Sequence, residues 1–148
     1  MRGMNARKKQ FEIDRMLGQN NIGLFGLLET RIKIRNLQNN VFSSAGKWSI
    51  VTNYSHHSGG RIWVIWDSKR FELEEISTFS QCIHMRVRVT NRNHSFWLTM
   101  VYGMSKAPDR EELWQNLGQI SKQINGAWCI MGDFNAISKM NDRIGGNA

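Results

Sequence analysis

The chain has 148 residues, the size of one ordinary domain, and carries a formal charge of +8 from twenty Lys and Arg against twelve Asp and Glu. A hydrophobic share of 41%, with six Trp and seven Phe, excludes a wholly disordered chain, and two cysteines, Cys82 and Cys129, cannot staple a scaffold this long. The longest largely apolar run, Ile22 to Leu28, is far short of the ~20 residues of a membrane helix and is flanked by acids that spoil a signal peptide, which leaves a soluble, basic α/β-type domain of a reducing compartment.

Residues 5–19 read as a helix with Phe11, Met16 and Leu17 on its apolar stripe, ended by Gly18 and the Asn20-Asn21 pair. Residues 22–28 then form a short apolar run, the mark of a strand buried on both faces, which stops at Glu29-Thr30. A second, weaker helix is expected over residues 31–41. Strand signals follow at 48–54, at 61–66 after the His56-His57-Ser58-Gly59-Gly60 turn, and at 71–77. Over 81–90 the alternation is clean: Ile83, Met85, Val87 and Val89 share one face, while Cys82, His84, Arg86 and Arg88 share the other. That pattern predicts a half-exposed strand near a sheet edge, with His84 at the surface. Asn91-Arg92-Asn93 makes a polar turn before a strand at 95–102. Pro108 and the acids behind it open a helix to about residue 124, with Leu113, Trp114, Leu117, Ile120 and Ile124 on its buried side. A last apolar run at 127–131 breaks at Gly132-Asp133-Phe134-Asn135. This order fits a sandwich of two sheets with helices outside better than a regular βαβ repeat.

The positive charge is uneven, since residues 1–35 hold eight of the twenty bases but only three of the twelve acids. A field of this kind attracts polyanions, and equally it serves solubility alone. The segment richest in chemistry is Gly132-Asp133-Phe134-Asn135. Spacing of two in extended backbone sends Asp133 and Asn135 to one side, with Gly132 permitting close approach and Phe134 free to anchor inward. A carboxylate beside an amide suits phosphate-ester chemistry, one group orienting a water and the other donating to a phosphoryl oxygen. The same residues also read as a strand-end turn that satisfies its own backbone amides. Glu29, at the end of another apolar run, is a candidate ligand for a hard divalent cation or a cap for the helix after it. Tyr102, before Gly103, either hydrogen-bonds a phosphate or sits as a rim aromatic. The histidines of the His56-His57 turn lack partners at zinc-ligand spacing and read as surface-loop residues, with a place on a phosphate rim as the alternative. The tryptophans read as core, and Cys82 and Cys129 as structural.

Taken in order, several stretches resemble the endonuclease/exonuclease/phosphatase superfamily, and within it the endonuclease domain of plant LINE-type (non-LTR) retrotransposons. They are Arg2-Gly3-Met4-Asn5, Gly26-Leu27-Leu28-Glu29-Thr30-Arg31, Asn53-Tyr54-Ser55-His56-His57-Ser58 leading into Gly60-Arg61-Ile62-Trp63-Val64-Ile65-Trp66-Asp67, Val101-Tyr102-Gly103, Gly132-Asp133-Phe134-Asn135-Ala136-Ile137 and Arg143-Ile144-Gly145-Gly146. The resemblance implies an α/β fold of the DNase I type, a two-sheet sandwich with outer helices. It also implies Mg2+ or Mn2+ held by Glu29, a scissile phosphate contacted by Tyr102 and Asn135, and an attacking water oriented by Asp133. DNA is the implied partner, with RNA as an alternative, and the basic excess near the N-terminus makes Arg7, Lys8, Lys9, Arg31 and Lys33 the candidate nucleic-acid contacts. Two departures stand out. The family's Asn upstream of the Arg-Gly pair is absent, and so is its late Ser-Asp-His motif. Residues 1–148 are therefore expected to be a partial domain, incomplete at the C-terminus, with impaired catalysis. A non-catalytic basic nucleic-acid-binding module and a non-functional remnant are the alternative readings.

Overall fold

The segment Ile62-Trp63-Val64-Ile65 is apolar at every position because both of its faces are covered. In the computed structural model, which describes residues 7–30, 48–57 and 61–137, this strand is the middle of an antiparallel three-stranded sheet. The chain runs α1 (Arg7–Gln19), β1 (Leu24–Leu28), β2 (Trp48–Thr52), β3 (Ile62–Asp67), β4 (Phe71–Thr78), β5 (Cys82–Val89), β6 (Ser95–Tyr102), a 3-10 turn (Pro108–Arg110), α2 (Glu111–Ser121) and β7 (Trp128–Asp133). The first sheet has the order β1-β3-β2 and the second β4-β5-β6-β7, and among the described residues only the β6–β7 pair is parallel. The helix expected at 31–41 lies outside the described residues.

Alternation along the strands then builds four layers. Trp63 and Ile65 of β3 point outward to Ile13 and Leu17 of α1. Ile62 and Val64 point inward to Ile83, Met85 and Val87 of β5 and Leu98 and Met100 of β6. On the far side of the second sheet, Cys82 and Val101 pack under Leu113, Leu117 and Ile120 of α2. Each fully buried aliphatic side chain contributes roughly 1.5–3 kcal/mol, so the sheet-to-sheet layer is the main source of cohesion. Burial also pushes the Cys82 thiol up to about 12, with nearby Glu112 adding to the shift, which makes it a packing group rather than a nucleophile. The two-sheet sandwich with outer helices is the architecture the strand order predicts.

Several local expectations are corrected. The buried stripe of α1 is Ile13 and Leu17, one turn apart, while Phe11 is 68% and Met16 45% exposed. Phe11 precedes Ile13 by two residues, about 200° around a helix, and so turns to solvent. The 81–90 strand is not near an edge, since β5 pairs with β4 on one side and β6 on the other. Its supposedly exposed face is buried at Cys82 and His84, leaving only Arg86 and Arg88 in solvent. In α2, Trp114 is exposed and stacks flat on Phe134 instead of entering the core. The apolar run of β7 is not a buried strand either: Cys129, Ile130 and Met131 are exposed, and among the described residues β7 pairs on one side only. Residues 22–28 are likewise mostly half-buried, with Leu27 the one buried position of β1. Among the described residues no helix is long and apolar enough to cross a membrane.

Candidate functional site

Three strands finish at the same end of the sandwich, and each carries a polar residue where its pairing stops. Antiparallel pairing of β1 with β3 sets Leu28 opposite Ile62, so Glu29, just past β1, meets Arg61, just before β3. The Glu29 N–H donates to the Arg61 carbonyl at 2.8 Å. Glu29 adopts a left-handed backbone, φ +54°, unusual for a residue with a side chain and a sign that the turn is held by its surroundings. In the second sheet the parallel pairing of β6 with β7 sets Tyr102 opposite Asp133, both the last residues of their strands. The Gly103 N–H donates to the Asp133 carbonyl at 2.7 Å and continues that pairing by one step.

Arg61 joins the two sheets at this end. Its guanidinium carbon lies 5.6 Å from the centroid of the Tyr102 ring. β3 also lies across from β6, and β1 across from β7. Glu29, Arg61, Tyr102 and Asp133 thus form a continuous series, and Asn135 extends it through its side-chain amide, which donates to the Gly103 carbonyl at 2.7 Å.

The Asp133–Asn135 segment differs from an extended pair. Asn135 is left-handed, φ +48°, and its N–H donates to Asp133 Oδ1 at 2.8 Å, closing an Asx turn. The strand-end turn is therefore real, and it coexists with a usable carboxylate. Asp133 is exposed, and among the described residues its second oxygen accepts no hydrogen bond. The Tyr102 hydroxyl also has no partner among the described residues. Phe134 turns inward under α2, as an anchor would. Gly132 permits the close approach: at φ +138°, an added Cβ would fall 2.0 Å from the Val101 carbonyl oxygen.

Three residues to which sequence reasoning gave no role support this end, and a fourth, His57, lies beside them. Asn53 is fully buried, accepts the Ile62 N–H on Oδ1 at 3.0 Å and donates from Nδ2 to the Ser80 carbonyl at 2.9 Å, clipping the first sheet to the β4–β5 loop. Gln81 accepts the Met104 N–H at 2.8 Å and donates to the Asp109 carbonyl at 2.9 Å, which pins the loop after Tyr102. Arg61 reaches from the start of β3 to the Tyr102 ring. His57 is half-buried rather than a free loop residue, and burial and then the Arg61 charge hold its pKa below the ordinary histidine value. A polar residue that is buried must be hydrogen-bonded, but sequence alone does not show which polar residues are buried. His84 lies away from this end. It is 3% exposed, bonds Thr99 Oγ1 through Nδ1 at 2.8 Å and stacks on Trp97, so it is a core residue and not a surface one.

The donor set fits a water-rich hard cation. Among the described residues no three His, Cys, Asp or Glu gather into a cage. A Mg2+-type ion needs only one or two carboxylates when waters and phosphate oxygens complete its shell, and Glu29 and Asp133 are carboxylates at neighbouring strand ends. Of the expected nucleic-acid contacts, Arg7, Lys8 and Lys9 occupy the first turn of α1, and Arg31 and Lys33 lie outside the described residues.

No protein-family model and no curated protein matches the sequence. By structure the chain is similar to the endonuclease domain of TRAS1, a telomere-specific non-LTR retrotransposon, with TM-score 0.69 and 12% identity over 92% of this chain and 57% of that one. It is similar to a mannosyl-6-phosphatase of Bacteroides thetaiotaomicron, with TM-score 0.66 and 12% identity over 86% of this chain and 57% of that one. It is also similar to D. rerio TDP2 complexed with a single-strand DNA product, with TM-score 0.64 and 15% identity over 91% of this chain and 56% of that one. The chain therefore has the DNase I-like fold of the endonuclease/exonuclease/phosphatase proteins. It spans somewhat more than half the length of these structures.

Proposed function

We propose that this chain is a metal-dependent phosphodiesterase domain of the endonuclease/exonuclease/phosphatase superfamily, derived from a LINE-type retroelement and acting on DNA. The observation that carries this reading is that Glu29, Tyr102 and Asp133 end their strands at one end of the sandwich, Tyr102 and Asp133 as a ladder pair and Glu29 linked to them through Arg61, whose carbonyl accepts its N–H and whose guanidinium lies over the Tyr102 ring. Glu29 is the residue that would hold Mg2+ or Mn2+. When bound, such a cation offsets charge developing on the phosphoryl oxygens. The free oxygen of Asp133 accepts a hydrogen bond from a water and aims it, while the Tyr102 hydroxyl donates to the phosphate. The second amide hydrogen of Asn135 has the same use, since the first is taken by Gly103. Arg7, Lys8, Lys9, Arg31 and Lys33 supply sequence-independent attraction to the DNA backbone.

Turnover by this chain is slow in this reading. None of its four histidines belongs to the Asp133–Asn135 turn, His57 standing by Arg61 in the loop after β2. Lacking a positioned general acid or base costs ~10²–10⁴-fold in rate. The test is nicking of supercoiled plasmid by the 148-residue chain with and without Mg2+. Slow Mg2+-dependent nicking that disappears in both Glu29→Ala and Asp133→Ala is expected. Absence of nicking, or nicking that survives both substitutions, overturns the proposal.

A further inference from the structure

We infer that Arg61 is the phosphate clamp of this site, binding the non-bridging oxygens of the phosphodiester between Glu29 and Tyr102. The inference rests on the phosphodiesterase reading and adds a residue to it. A charged residue directly before Ile62-Trp63-Val64-Ile65 is unexpected from packing alone, since that strand is buried at each of those four positions. The structure fixes the Arg61 backbone through its carbonyl, which accepts the Glu29 N–H. Its half-buried side chain runs across to the second sheet and rests on the Tyr102 ring.

Its contacts together with its half-buried place at this end set Arg61 apart; Arg86 also rests on a ring, that of Trp97, but is exposed on β5. A guanidinium has five N–H donors in a planar fork. Among the described residues those of Arg61 meet only the Tyr102 π-face and, at 3.9 Å, the Met104 sulfur. Other arginines spend their donors: Arg110 on the Met104 and Ser105 carbonyls at 2.8 and 2.9 Å, Arg70 on the Asn21 carbonyl at 2.9 Å, and Arg88 on Glu72. A structural arginine at a strand end would be expected to cap carbonyls as Arg110 does. Arg61 is instead steered by a ring and a thioether, which orient the cation without using up its fork. A tetrahedral dianion or a phosphodiester oxygen pair is the partner that a planar fork recognises in two parallel bonds. The position agrees, because the residues on either side are the proposed metal carboxylate and the proposed phosphate-contacting tyrosine. The pKa of His57, lowered first by burial, is lowered further by the same positive charge at this end of the fold.

The experiment uses the whole chain and thymidine 3′,5′-bisphosphate as the probe, with binding followed by NMR and nicking followed in parallel. Arg61→Met is expected to weaken bisphosphate binding by ~10–100-fold and to lower kcat for nicking by ~10²–10³-fold with a smaller change in KM. Arg61→Lys keeps the charge over the ring but loses the fork, and it should fall between the parent and Arg61→Met in both assays. No bisphosphate binding by the parent, or binding unchanged in Arg61→Met, overturns the inference. If Arg61→Met fails to fold, Arg61→Lys decides: binding equal to the parent overturns it, and weakened binding at an unchanged melting temperature supports it. The two proposals fail differently. Nicking that needs Glu29 and Asp133 but not Arg61, with binding unchanged, removes the clamp alone. A parent that does not nick but binds the bisphosphate through Arg61 removes the phosphodiesterase reading alone.

Discussion

Gly132→Ala is the sharpest test of how the site is assembled. The parallel β6–β7 pair sets Asp133 beside Tyr102, and Gly132, paired with Val101 one step before them, has no room for a side chain against that backbone. An added Cβ would sit 2.0 Å from the Val101 oxygen and 2.9 Å from the Val101 carbon and nitrogen. These are main-chain atoms that no rotamer change can move. Ordinary contact begins near 3.4 Å, so the strands would have to separate by more than an ångström. That movement weakens the last ladder hydrogen bonds, each worth about 1 kcal/mol. The φ of +138° adds strain of about 1–3 kcal/mol for a residue with a side chain. Together the cost is about 3–5 kcal/mol, or a melting temperature lowered by ~10 °C for a chain of this size. Thermal unfolding followed by circular dichroism measures it. Gly118→Ala serves as the control: the residue is in α2, an added Cβ meets nothing within 4 Å, and a gain of about 0.5–1 kcal/mol is expected. A Gly132→Ala chain that melts within about 2 °C of the parent would refute the account of β7 and of the Tyr102–Asp133 pairing.

Two further outcomes follow from the same geometry. Asn135→Gly keeps the left-handed turn but loses the amide bond to Gly103, whereas Asn135→Ala loses both, so Ala should be the less stable by about 1 kcal/mol in urea unfolding; equal midpoints would contradict the turn assignment. The pKa values of His57 and His84 are both lowered, His84 by burial, so the unfolded chain takes up protons near pH 6.5 that the native state refuses. Stability from these residues is complete above about pH 6.5 and is lost as pH falls toward the lower native pKa values. The urea midpoint should therefore drop between about pH 7.5 and 5.5, and His84→Gln should reduce the drop; a flat profile in the parent would exclude this linkage.

Sequence periodicity carried the fold well where one rule governed each residue. β6 has its expected boundaries, and the alternation of Ile83, Met85 and Val87 correctly marks the inward face of β5. It failed where a second layer intervened. Cys82 and His84 alternate like solvent-facing residues, yet α2 covers the first and Trp97 and Trp128 enclose the second. β7 failed in the opposite sense, because an apolar run reads as buried whether or not anything packs on it. Glu29, Tyr102 and Asp133 were legible as polar residues ending apolar strands. Arg61 and Asn53 were not, since their use depends on the other sheet, from 26 residues away in the case of the Asn53–Phe79 contact.

The contacts that place the site are mostly main-chain. Glu29 is held by its N–H on Arg61, Asp133 by its carbonyl on Gly103, and Tyr102 by an N–H donated to the Gln81 carbonyl at 2.9 Å. None of these bonds needs the functional side chain of the residue it positions. Glu29→Gln and Tyr102→Phe, which keep the shape of each side chain and the Tyr102 ring that packs on the core and under Arg61, should therefore leave the scaffold in place, and a loss of nicking in those variants reports on chemistry rather than on folding. Asp133 is the partial exception, because its Oδ1 also closes the turn to Asn135. Asp133→Asn retains an acceptor at that position while removing the negative charge. If Asp133→Asn melts like the parent but does not nick, the carboxylate acts on the water and the turn is only its support.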